Sequence, residues 1–104
     1  MRKAWSDAEI RVAVDSYFVM LMCELAGASV TKAEHRRRAQ RLLPGRTAKA
    51  VEYKWCNVSA VLSEASLPWI GGFKPLSNYQ GRLRELVGAW LLEHPYSRDL
   101  LASP

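Results

Sequence analysis

Lys49, Tyr53 and Asn57 recur every four residues, so on a helix turning 100° per residue they lie on one side. A long cation, a phenol and a carboxamide suit a helix that enters a nucleic-acid groove. Lysine reaches phosphate or guanine, asparagine pairs with adenine, and tyrosine stacks or packs on a methyl group. Just upstream stand Arg36, Arg37, Arg38 and Arg41, then Arg46, with Lys54 on a flank of the same helix. Such cations hold phosphates, which adds salt dependence but no sequence choice. Trp69 and Lys74 sit in a Pro- and Gly-rich segment and are expected as wing contacts beside the main surface.

Other chemistry finds no footing. His35 and His94 have no Cys or acidic partner at metal-ligand spacing, so no metal site is expected. Cys56 has no His near it in sequence to act as its base. There is no phosphate-cradling glycine loop, no His-Glu-x-x-His and no Gly-x-Ser-x-Gly. No cofactor is implied, and catalysis by this chain alone is not expected.

The charge distribution agrees with a polyanionic partner. The chain of 104 residues carries 15 Lys and Arg against 10 Asp and Glu, a net +5. From Thr31 to Lys54 there are eight bases and two acids, so the remainder is slightly acidic. Clustered positive charge on a small domain favours nucleic acid. Hydrophobic residues make up 49%, which excludes a disordered tail, and the length is that of one domain. The run from Val12 to Cys23 is broken by Asp15 and is too short to span a bilayer. Met1-Arg2-Lys3 leads into Trp5-Ser6-Asp7-Ala8-Glu9, which is no secretory h-region. Cys23 and Cys56 lack metal or redox spacing, so a reducing, intracellular setting is expected, cytoplasmic and nucleoid-associated if DNA is the partner.

Helices must position these residues. Ser6-Asp7-Ala8-Glu9 is a capping box, and Trp5 and Ile10 have the spacing of a hydrophobic staple. Ile10, Val14, Tyr17, Phe18, Leu21 and Leu25 then form one apolar stripe, stopped at Gly27. A second capping box, Thr31 to Glu34, opens a short basic helix that ends at Pro44-Gly45. Thr47 caps a third helix with Val51, Trp55, Val58 and Leu62 inward. Segment 67–76 is either a short hairpin or an irregular loop. A last helix runs from about Asn78 to Glu93, Pro95 stops it, and Ser97 onward reads as a tail.

Three short helices, the third opening on a Gly-Arg-Thr turn, make a helix-turn-helix layout. Trp5-Ser6-Asp7-Ala8-Glu9 resembles the opening of a Myb/SANT repeat. Leu43 to Trp55, containing Gly45-Arg46-Thr47, is similar to that family's turn and recognition helix with its core tryptophan. The resemblance covers roughly residues 5–62; the second helix has an arginine run where the family has a tryptophan. More loosely, the stretches Val14 to Phe18, Lys32 to Arg36, Val51 to Lys54, Asn57 to Leu62, Pro68-Trp69-Ile70 and Lys74-Pro75 resemble a bacterial module. Such modules precede HNH or other restriction nuclease domains, and this likeness implies a reader of DNA, including modified bases.

The resulting expectation is an all-α fold: a three-helix helix-turn-helix core, Myb-like or winged, over 1–66. A loop or wing and a C-terminal helix, 67–104, pack on the same core. The expected function is double-stranded DNA binding with helix 47–64 in the major groove. A SANT-like protein-interaction module is the alternative. A catalytic domain after residue 104 or a second copy would be further partners, and no membrane is expected.

Overall fold

The computed structural model describes residues 4–103; Met1, Arg2, Lys3 and Pro104 lie outside the described residues. Among the described residues there are five helices and no strand: α1 (Asp7–Leu25), α2 (Lys32–Arg41), α3 (Ala48–Glu64), α4 (Gly81–Glu93) and α5 (Pro95–Ala102). None is long and apolar enough to cross a membrane.

Local chemistry sets most of the helix ends. Ser6 accepts from the Glu9 amide at 3.1 Å while Glu9 accepts from the Ser6 amide at 3.0 Å, so the first capping box is formed. At the other end Gly27, with φ of 77°, allows Ala28 N–H to reach Cys23 O and Gly27 N–H to reach Glu24 O. These are the two bonds of a Schellman stop. Thr47 caps α3 by accepting from Ala50 N–H at 3.0 Å.

The second expected capping box does not form. Thr31 has ψ of 98°, against 163° at Ser6, and its hydroxyl makes no capping bond. The Glu34 amide it would have capped is bonded to Thr31's own carbonyl. Two boundaries also move. The last long helix starts at Gly81 rather than Asn78, and the expected tail folds as α5, with Leu101 buried. Pro95 ends α4 and occupies the first turn of α5, where a missing N–H costs nothing.

A single apolar cluster draws on all five helices. Trp55 lies wholly inside and donates its indole N–H to Ala13 O at 3.0 Å. Segment 65–80 is irregular, which settles the hairpin question against strands. It runs as a strap over the core, with Ile70 and Phe73 buried. The Tyr17 hydroxyl anchors it, accepting from Ile70 N–H at 2.9 Å and sharing a hydrogen bond with Ser59 Oγ at 2.7 Å. Burial pushes the Tyr17 phenol up to about 12.

Candidate nucleic-acid interface

The Leu43-Pro44-Gly45-Arg46 turn joins α2 to α3. Arg46 N–H bonds Leu43 O at 3.1 Å, and Gly45 takes φ of 88°, which an L side chain adopts only with strain. Arg46 is then spent on structure. Its Nε and Nη2 hold Glu9 in a bidentate pair, both at 2.9 Å, and Nη2 also reaches Ala4 O at 3.0 Å. Its guanidinium lies 4.6 Å from the centre of the Trp5 ring. The Arg46 hydrogen bonds, helped by the Ser6 amide, hold the Glu9 carboxyl down to about 2. The expectation that Arg46 contacts phosphate is therefore corrected: it fastens the start of α1 to the start of α3.

Lys54 and Arg36 are likewise committed. The Lys54 ammonium sits 5.0 Å from the Trp5 ring centre, half-buried, and that burial lowers its pKa. Arg36 pairs with Glu52 at 2.8 Å and so ties α2 to α3. Neither is the free phosphate ligand expected of it.

Asn57 moves furthest from its expected place. It is 1% exposed, and its Nδ2 donates to Leu76 O at 2.7 Å. Leu76 N–H in turn donates to Cys56 O at 3.1 Å. The exit of the strap thus lies along the side of α3 opposite the core, over its second half. From Asn57 to Leu62 every residue is buried. Asn57 cannot reach a base, and the base-contact trio shrinks to Lys49 and Tyr53. Lys49 is exposed; Tyr53 is 44% exposed, and its hydroxyl accepts from the Asn78 amide.

What remains at the surface is compact in sequence. Arg37, Arg38 and Arg41 are exposed and share, with Glu34, the side of α2 opposite buried Ala39. None of these arginines, nor Lys49, is ion-paired among the described residues. On the strap, Trp69 is 37% exposed and Lys74 is exposed. Neither belongs to a hairpin, so the expected wing has no strands to carry it. Sequence reasoning missed Leu76 and Asn78, which cover or share the side of α3 turned away from the core. The signal was available: no charged residue stands between Lys54 and Glu64, as in a helix buried all round.

Among the described residues, no group of three or more His, Cys, Asp or Glu is placed to hold a metal ion. No protein-family model, curated protein or solved structure matches the chain.

Proposed function

We propose that the chain is a double-stranded DNA-binding module of helix-turn-helix type. The outward side of α2 lies on phosphates, and the first two turns of α3 enter the major groove. The observation that carries this reading is the division among the cations. Arg36, Arg46, Arg82, Arg84 and Arg98 are each paired with a carboxylate. Of the exposed cations without one, Arg37, Arg38, Arg41 and Lys49 lie on the two helices flanking one turn, as does Lys32, which sits over the Phe73 ring; Arg11 and Lys74 stand elsewhere. Keeping four like charges together costs self-repulsion, which a polyanion relieves.

The exposure of α3 supports the same docking. A recognition helix reads base edges mainly with its N-terminal residues while the preceding helix crosses the backbone. Only the first half of α3 offers such residues, Lys49 and Tyr53, because every residue from Asn57 to Leu62 is buried. Arg36–Glu52 and Arg46–Glu9 fix the angle between the helices and so the spacing of the free cations.

Fluorescence anisotropy of a labelled duplex across a salt series tests the proposal. Three phosphate contacts imply a log–log slope of roughly −3, or about a fortyfold loss between about 50 and 200 mM salt. Replacing Arg37, Arg38 and Arg41 together by Ala should flatten the slope by about 2 to 3. No binding at the lowest salt, or a slope that the triple variant leaves unchanged, overturns the assignment.

A further inference from the structure

The seam between α1 and α4 holds a groove of about 310 Å³, within the small-ligand range. It exists because short side chains, Val12, Val14 and Ala89, meet there beside Leu86. Trp90 closes one end. Its ring stacks on Phe18 at 3.9 Å and 6°, and on His94 at 3.9 Å and 13°. Two nearly parallel rings that close cannot share one side of the indole without overlapping. Both Trp90 faces are therefore covered, and only its edge meets the groove.

The polar rim is rich in acceptors. Asp15 Oδ1 accepts from Trp90 Nε1 at 3.2 Å, which orients the carboxylate and leaves Oδ2 without a hydrogen bond among the described residues. Glu93 makes no ion pair among the described residues. His94 Nδ1 must donate to Trp90 O, at 2.8 Å, because a carbonyl only accepts; Nε2 of the neutral ring is then an acceptor. Arg11 alone among the lining side chains brings cationic donors, and it sits one helical turn from both Asp7 and Asp15. In a chain of net +5, Arg11, Asp15 and Glu93 give this rim a net charge of −1.

We infer that this groove binds a small organic cation: a primary ammonium on a compact apolar body. The body fills the space between Val14, Leu86 and Ala89. The ammonium takes the acceptors of Asp15, Glu93 and His94. A cation–π contact with a Trp90 face is excluded by the stack, so discrimination rests on the carboxylates. An anion of the same shape meets a rim of net charge −1, and an alcohol supplies one donor where three acceptors wait. No residue of this site belongs to the α2–α3 surface, so the two proposals stand or fall separately.

The test follows the Trp90 indole N–H signal in ¹H–¹⁵N spectra, assigned with Trp90→Phe. The probes are phenethylamine, phenylacetate and 2-phenylethanol, which share one body and differ in charge. Phenethylamine should shift the signal saturably, and the other two should not. Asp15→Asn, which still accepts from Trp90, and Glu93→Gln should each weaken phenethylamine binding roughly tenfold. Ala89→Leu should fill the groove and abolish the shift while the remaining amide spectrum stays folded. Equal shifts from all three probes would reduce the groove to an apolar dent and overturn the proposal. So would undiminished phenethylamine binding in folded Glu93→Gln.

Discussion

Asn57 and Leu76 are joined by a 2.7 Å hydrogen bond from the Asn57 side-chain amide to the Leu76 carbonyl, at the start of a stretch of α3, 57–62, in which every residue is buried. Asn57→Ala leaves that carbonyl without its donor and should cost about 1–3 kcal/mol in chemical denaturation. Duplex affinity of the folded variant should stay within about threefold of the parent. Lys49→Ala should do the reverse, with unchanged stability and roughly tenfold weaker binding. A folded Asn57→Ala that lost DNA binding would return this residue to the interface.

Tyr17 serves two partners with one hydroxyl, Ser59 and the Ile70 amide. Tyr17→Phe strands both in the interior and should destabilise the chain by about 2 kcal/mol. The pH dependence has a definite sign. The folded phenol titrates at about 12 against an ordinary 10.0. Its contribution is thus complete below pH 10 and lost as pH rises to 12. Denaturation midpoints measured over that window should fall in the parent, and that loss should be smaller in Tyr17→Phe.

Glu9 behaves oppositely. Arg46 and the Ser6 amide lower its carboxyl from 4.5 to about 2. The stabilisation is fully present above pH 4.5 and disappears as pH falls toward 2. Glu9→Gln should be less stable than the parent at pH 6, and the difference should shrink steadily on acidification. An unchanged gap at pH 2 would show that the Arg46 pair is not its source.

Ser66 ends α3 in the left-handed region, with φ of 59°, where Gly is the unstrained residue. Leu67 N–H reaches Leu62 O across it at 2.9 Å. Ser66→Gly keeps this stop and relieves the backbone, so it should stabilise by up to about 1 kcal/mol in thermal or chemical unfolding. Loss of stability would mean that unfolded-chain entropy outweighs the relief.

Features governed by neighbouring residues were legible in the sequence. The Ser6–Glu9 box, the Thr47 cap, the Gly27 stop and the buried Trp55 all follow from short-range spacing. Thr31 shows where that reading ends. The same pattern failed because its backbone angle turned and its own carbonyl took the amide. Pro95 reads in the sequence as a terminator, although proline serves equally well at a helix start. The polar side of α3 misleads for another reason. Asn57 looks outward on a helical wheel, but its partner lies 19 residues away in an irregular segment that no periodicity announces. The cations divided similarly: Arg46 and Glu9 meet across 37 residues, whereas Arg37, Arg38 and Arg41 keep the exposure their spacing implies.

The strap also fixes an order of assembly. Its Tyr17 anchor lies 53 residues from Ile70, and Tyr17 is also bonded to Ser59, 42 residues away. Closing such spans has an entropic cost that a docked α1–α3 pair has already met, so the strap latches last and detaches first. Native-state hydrogen exchange should accordingly show Ile70 and Leu76 amides opening at lower free energy than those of Val58 and Leu62. A chain with the strap detached bares the uncharged flank of α3, and that exposure is where self-association during refolding would begin.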